Sequence, residues 1–164
     1  MMIKSKKQLY VSLLRGIYSG ETQMILALPK MAKASISPPL QRAFANHYHE
    51  TREQSQRLEQ AFNMLSEDIG NETCEAMQGL IAESEEIIDR TTDDNTRDAA
   101  LIAIAQKIKH YEIASYGTLC RLAKELGFKD QAALLYLTLQ EEKEADIKLT
   151  DIAERASNRL AVAA

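Results

Sequence analysis

The sequence lacks the features that mark several large classes of protein. Its two cysteines, Cys74 and Cys120, show no Cys-x-x-Cys spacing, which argues against a disulfide framework or a thiolate zinc site. No stretch approaches the roughly 18 consecutive apolar residues of a membrane span, and the N-terminus has no apolar signal-peptide core. Tryptophan is absent, and the chain has only six glycines, three prolines and no low-complexity run. We therefore expect a soluble, cytoplasmic protein without a membrane partner.

The charge balance is mildly acidic. The formal net charge is −4, with 27% charged and 45% hydrophobic residues among 164. This length suits a single domain with a sizeable core. Because no basic cluster interrupts the acidic balance, we expect no nucleic-acid partner.

Apolar residues recur at steps of three and four, which predicts amphipathic helices, and no strand pattern occurs. The predicted helices span about residues 5–34, 38–67, 73–90, 95–126 and 130–157. Ser37 before Pro38 is typical of a helix start, and Gly127 of a helix end. The connection over 67–95 is long and carries the short third helix; ferritin-like bundles have one such crossover. The predicted fold is therefore all-α: a ferritin-like four-helix bundle with a long crossover containing a short extra helix, as one domain over 1–164.

Polar residues interrupt the apolar stripes near the middle of the four long helices. Glu21, Glu112 and Glu142 occupy core positions, and Glu50 lies at the edge of the core face of the second helix. The two glutamates of each hairpin are nearly equally far from its turn, so their carboxylates lie at similar heights. An unpaired carboxylate in a core costs several kcal/mol. No Lys or Arg is assigned to a core position near these glutamates, so we expect a bound cation.

A second oxygen ligand stands four residues after the glutamate on two of the helices, on the same helix face. The predicted metal ligands are Glu21, Glu50, Gln54, Glu112, Glu142 and Asp146. Such a set is typical of di-iron and di-manganese carboxylate proteins. Hard oxygen ligands suit these ions, so the expected cofactors are two divalent metal ions, with iron favoured over manganese. A purely structural polar network is the alternative, although a half-satisfied network is worse than an apolar core.

One departure from the di-iron pattern concerns histidine. The usual second ligand is a His three residues after the Glu, but here the corresponding positions are Glu53 and Ala145. His47, three residues before Glu50, lies on the inward face. It could replace or support Gln54 as a ligand, or orient a carboxylate as a core histidine.

Two tyrosines lie within one helical turn of predicted ligands. Tyr18 precedes Glu21 and Tyr116 follows Glu112. Either could hydrogen-bond a ligand or act as a redox-active neighbour, with ordinary aromatic packing as the alternative. Glu141 fits the apolar stripe less well and is expected in solvent.

Longer motifs resemble the YciE/YciF family of bacterial ferritin-like stress proteins over almost the whole chain. The most specific stretches read RDAALI at 97–102, HYEIASYGTL at 110–119, and EEK followed by DIKLTD within 141–151. The resemblance implies a ferritin-like bundle with an added short helix, a dinuclear metal site, a homodimer and an association with general stress. It points to Glu21, Glu50, Glu112 and Glu142 as ligands, and after them to Gln54 and Asp146.

The leading hypothesis is a dinuclear carboxylate metalloprotein that handles oxygen, peroxide or the metal itself during stress. It would be a di-metal oxidase or a peroxide-consuming protein with an open coordination position for the oxidant. One alternative is a metal storage or sequestration protein, which needs a cage or a large mineral space. Another is a non-enzymatic helical interaction module with protonated or water-bridged carboxylates in its core.

Overall fold

Five helices make up nearly all of the computed structural model, which describes the backbone of residues 2–163 and the side chains of residues 2–156. The helices are α1 (Lys6–Ala34), α2 (Pro38–Leu65), α3 (Glu75–Arg90), α4 (Asp94–Glu125) and α5 (Lys129–Ala163). No strand occurs over this range, so the all-α prediction is confirmed. The last helix continues past the end predicted near residue 157. None of the helices described is long and apolar enough to cross a membrane.

The four long helices form a ring of neighbours. The hairpins α1–α2 and α4–α5 each pack along their length, and contacts of α2 with α5 and of α1 with α4 join the two hairpins. The short helix α3 lies within the connection from α2 to α4 and packs on α1 and α4. The chain thus reaches α4 through a crossover that also covers one side of the long helices.

The core consists of two apolar clusters with buried polar residues between them. On α1, Ile17 belongs to one cluster and Met24 to the other, and Glu21 lies between them. On α5, Leu139 and Leu149 belong to different clusters, and Glu142 lies between them. We call the buried polar side chains at this height the polar layer; its members are Glu21, His47, Thr51, Gln54, Lys109, Glu112 and Glu142.

The turn between α4 and α5 has the geometry predicted for Gly127. This residue adopts φ +77°, in the left-handed region that favours glycine. The backbone N–H of Phe128 donates to the carbonyl of Ala123 over 2.8 Å. The chain therefore reverses directly after α4, which brings Glu112 and Glu142 of the hairpin to the same height.

A side chain of another helix, α4, stabilises the turn between α1 and α2. Ser37 is the N-cap residue of α2 and Pro38 begins the helix, but the Ser37 side chain makes no capping hydrogen bond. Instead, the Asp98 carboxylate of α4 accepts the backbone N–H groups of Ile36 (2.9 Å) and Ser37 (2.7 Å). One side chain of α4 thus satisfies two donors of the first hairpin.

We expect Asp98→Ala to lower the free energy of unfolding by about 1–3 kcal/mol, because it leaves these two N–H groups without their charged acceptor. Urea denaturation measures the loss. Asp89→Ala, on the exposed surface of α3, serves as the control and should stay within about 0.5 kcal/mol of the wild type. Equal losses in the two variants would contradict the capping role.

Candidate metal centre

Carboxylates from three helices meet in the polar layer. Glu21 of α1, Glu112 of α4 and Glu142 of α5 are each 0% exposed. His47 of α2, Glu112 and Glu142 each place one potential ligand atom within 4.8 Å of the others. Side chains distant in sequence therefore form a buried group that has the composition of a divalent-metal site.

Lys109 lies in the middle of this group. Its side chain is 2% exposed, and its Nζ lies 2.5 Å from Glu112 Oε2, contacts Glu142 Oε2 and lies 2.5 Å from His47 Nε2. The expectation that no Lys or Arg occupies the core near the glutamates is therefore wrong. Lys109 follows the core residue Ile108 in the chain, and a flexible four-carbon stem carries its ammonium group into the polar layer.

The protonation of the glutamates follows from burial and from this ammonium. Burial and the negative charge of Glu142 raise the pKa of Glu112 well above its usual value and that of Glu21 to about 8. Burial opposes ionisation of Glu142 too, but the Lys109 ammonium outweighs it and lowers the Glu142 pKa to about 2. Without metal, Glu142 is the ionised partner of Lys109, whereas Glu21 and Glu112 hold protons at neutral pH.

Several buried oxygen atoms here lack a hydrogen-bond partner among the described residues: Glu21 Oε2, Gln54 Oε1 and Glu112 Oε1. The other polar side-chain atoms of Glu21 and Gln54 do form hydrogen bonds. Tyr116 Oη donates to Glu21 Oε1 over 2.6 Å, and Gln54 Nε2 donates to Glu142 Oε1 over 2.7 Å. Unpartnered buried acceptors are rare in folded proteins. A divalent cation is a partner that oxygen atoms of this kind accept, so the residues fit a metal ion.

His47 is arranged as a metal-ligating histidine would be. Its Nε2 lies beside Lys109 Nζ, whereas its Nδ1 lies 3.5 Å from the half-buried Glu50 carboxylate. Burial and the Lys109 charge lower the His47 pKa, which favours the neutral imidazole. The contact with His47 lowers the pKa of Glu50. A carboxylate behind one ring nitrogen commonly orients a histidine whose other nitrogen binds metal.

Two of the sequence-predicted residues lie against other partners. Asp146 Oδ2 is 3.1 Å from Nε2 of the exposed His110, while Asp146 Oδ1 is buried without a hydrogen-bond partner among the described residues. Tyr18 Oη donates to Glu59 over 3.0 Å. Tyr116, by contrast, bonds Glu21 directly. Of the two tyrosines, therefore, Tyr116 is the one bonded to a predicted ligand.

Glu141 belongs to the edge of the polar layer, so the expectation that it lies in solvent is wrong. Its carboxylate accepts two hydrogen bonds from the Arg57 guanidinium, over 2.6 and 2.7 Å, and one from Gln54 Nε2 over 3.0 Å. Gln54 thereby links Glu141 to Glu142. Gln54 and Arg57 lie three residues apart on one face of α2. This spacing was the sequence signal that could have indicated partners for Glu141.

Comparison with known proteins agrees with this architecture. Residues 5–162 match a family model described as "Domain of unknown function (DUF892)". Protein YciF of Escherichia coli K12 is 46% identical over 162 residues, covering 98% of each chain. The crystal structure of the E. coli stress protein YciF superimposes with a TM-score of 0.92, covering 95% of this chain and 99% of YciF. YcfI of Rhodopseudomonas palustris is 40% identical with a TM-score of 0.88, covering 90% of this chain and 94% of YcfI. The chain therefore belongs to the DUF892 family, that of YciF, as its sequence motifs predicted.

Proposed function

We propose that this protein is a ferritin-like metalloprotein of the bacterial stress response that binds two divalent ions in its polar layer. The observation that carries the proposal is the convergence of His47, Glu112 and Glu142, together with buried oxygen atoms of Glu21, Gln54 and Glu112 that lack partners among the described residues. The ring of four long helices, with a crossover through α3, is the arrangement in which ferritin-like proteins build such centres. The stress association rests on the similarity to the E. coli stress protein YciF.

The proposal gives each potential metal ligand of the layer a role. His47, Glu112 and Glu142 hold one ion, and Glu21 with the Gln54 carbonyl oxygen holds the other. Glu50 orients His47 through Nδ1. Bound iron or manganese would supply the redox capacity for reaction with a small oxidant, dioxygen or peroxide.

Lys109 competes with the metal for the same oxygen atoms. Its ammonium contacts Glu112 and Glu142, so an ion that binds both glutamates must displace it. The flexible stem of lysine allows the ammonium group to move without a change in the α4 backbone. The raised pKa values of Glu21 and Glu112 keep both carboxyl groups protonated in the metal-free state, so each would have to give up its proton to hold an ion.

Metal titration with Glu112→Ala tests the proposal. Wild-type protein should take up about two Fe(II) or Mn(II) ions per chain under anaerobic conditions, as dinuclear carboxylate bundles do. Glu112→Ala should weaken binding by at least about 100-fold, since loss of even an outer-sphere partner typically costs about 10–100-fold. Isothermal titration calorimetry and elemental analysis measure both quantities.

Glu144→Ala is the matched control. Glu144 lies on α5, the helix of Glu142, but it is exposed, whereas Glu142 is buried. It should bind metal as the wild type does. Wild-type protein that takes up no Fe(II) or Mn(II) would overturn the proposed function. Uptake of both ions with wild-type affinity in Glu112→Ala would place the metal outside the polar layer and would likewise overturn it.

A second candidate, a non-enzymatic helical module, is favoured by one observation. Lys109 supplies an internal positive charge, so the metal-free layer is partly neutralised by the chain itself. In this alternative the layer serves as a buried ionic network that specifies how the helices align. It predicts that Mn(II) and chelators leave the melting temperature unchanged, whereas the metalloprotein proposal predicts a rise with Mn(II).

A further inference from the structure

An apolar cavity of about 50 Å³ adjoins the polar layer. It lies among the four long helices, and its lining includes His47, Glu50 and Lys109. Its apolar walls are Met24, Leu28, Met31, Phe44, Ile108 and Leu149. The cavity therefore places an apolar space directly against the side chains that form the candidate metal centre.

The size and chemistry of this cavity select a small apolar occupant. An apolar cavity of about 150 Å³ stays dry and binds benzene or xenon. At about 50 Å³, the present cavity has room for a diatomic molecule but not for an aromatic ring. Hydrogen peroxide would leave most of its hydrogen bonds unmade against methionine, leucine and phenylalanine side chains, which is costly. Dioxygen has no hydrogen bonds to lose.

The charge of a neighbouring pocket disfavours metal ions as well. A wider pocket of about 310 Å³ between α2 and α5 shares the lining residues Ala43, Asn46 and Lys148 with the cavity; we call it the vestibule. The charged side chains that line the vestibule are Arg42, Lys148, Asp151 and Arg155. Three basic groups against one acidic group lower the local concentration of divalent cations. The vestibule thus favours neutral molecules over the metal.

We propose that this cavity is a dioxygen site and the path by which dioxygen reaches the polar layer. The proposal rests on the proposed function in one respect, since it names the oxidant that the metal centre would use. The binding of dioxygen to the cavity is a property of the metal-free protein and stands on its own.

Paramagnetic relaxation by dissolved dioxygen tests the site directly. Methionine methyl groups are labelled in metal-free protein, and their relaxation is compared under nitrogen and under pressurised oxygen. Met24 and Met31 line the cavity, whereas Met77 is equally buried but is not among its lining residues. We expect enhancements at Met24 and Met31 several-fold larger than at Met77. Equal enhancements at all three would overturn the proposal.

A filling substitution provides the second test. Ala145 lines the cavity on α5, so Ala145→Phe should abolish the excess enhancement at Met24 and Met31. Ala133→Phe, at an exposed position of the same helix, should leave it unchanged. An excess that persists in Ala145→Phe at full strength would overturn the assignment to this cavity. Because both variants are measured without metal, failure of the metal titration would overturn the proposed function and leave this result unaffected.

Discussion

Lys109→Met is expected to lower the free energy of unfolding of the metal-free protein by about 3–5 kcal/mol, the usual cost of removing one partner from a buried ion pair. Methionine has a similar length but carries no charge, so Glu142 loses its cation while remaining fully buried. Urea denaturation at neutral pH in the presence of a chelator measures the loss. The same variant should bind Mn(II) more tightly than the wild type, because the metal no longer competes with an ammonium group.

Lys107→Met is the control for this experiment. Lys107 lies on the same helix, and its ammonium pairs with Glu83 at the surface, where an ion pair contributes about 0–1 kcal/mol. Added Mn(II) should restore stability to Lys109→Met and have no larger effect on Lys107→Met than on the wild type. Equal destabilisation in the two variants, or no recovery with Mn(II), would contradict the role assigned to Lys109.

The metal-free protein should lose stability as the pH rises from about 5 to about 8. The pKa of Glu21 is raised from 4.5 to about 8 by burial and by the charge of Glu142. The folded state therefore keeps a proton that the unfolded chain releases, so the stabilising effect is complete below pH 4.5 and disappears as the pH passes 8. The loss is on the order of a few kcal/mol. Urea denaturation across this range measures it.

Glu21→Gln should reduce this dependence, because an amide cannot lose the proton, while Glu112, whose pKa is also raised by burial, keeps its own contribution. Glu144→Gln, a change at an exposed position, should keep the wild-type slope. Glu142 gives the opposite trend in acid: its pKa of about 2 means that it stabilises above pH 4.5 and that this contribution is lost as the pH falls towards 2. A Glu21→Gln variant with an unchanged slope between pH 5 and 8 would show that another group carries the titration.

The helices and the buried glutamates could be predicted because their signals are local. Apolar residues at steps of three and four define the faces of α1, α2, α4 and α5, and Glu21, Glu112 and Glu142 interrupt those faces. In a helix, the register of a residue fixes the direction of its Cβ atom. All three glutamates are fully buried as a result.

Lys109 and Asp98 could not be predicted in the same way. The direction of the Lys109 Cβ atom does not fix the position of an ammonium group at the end of four flexible bonds. Its spacing of three residues from Glu112, an ion-pair spacing in helices, was the available signal. Asp98 caps a turn from a different helix, and no local pattern encodes a contact between segments so far apart in the chain.

The spacing of residues along α2 gives the positions of His47 and Glu50 relative to the centre only approximately, so it could not assign their roles. The sequence predicted Glu50 as a ligand and left His47 open between ligand and support. In the structure the imidazole lies between Glu50 and the Lys109 ammonium. A rotation of a fraction of a helical turn decides which of the two side chains reaches the centre, and that rotation is set by the packing of α2 on α1 and α5.

Under the proposed function, the lysine within the carboxylate layer would also set the order of folding and metal binding. Small zinc domains stay unfolded until the metal arrives, because their ligands have no other partners. Here Lys109 already neutralises part of the cluster, so under the proposed function the newly made chain would complete its helices first and acquire metal afterwards. A cell would then be able to synthesise the protein while iron or manganese is scarce, keep it as a finished apoprotein, and load it when the metal supply recovers.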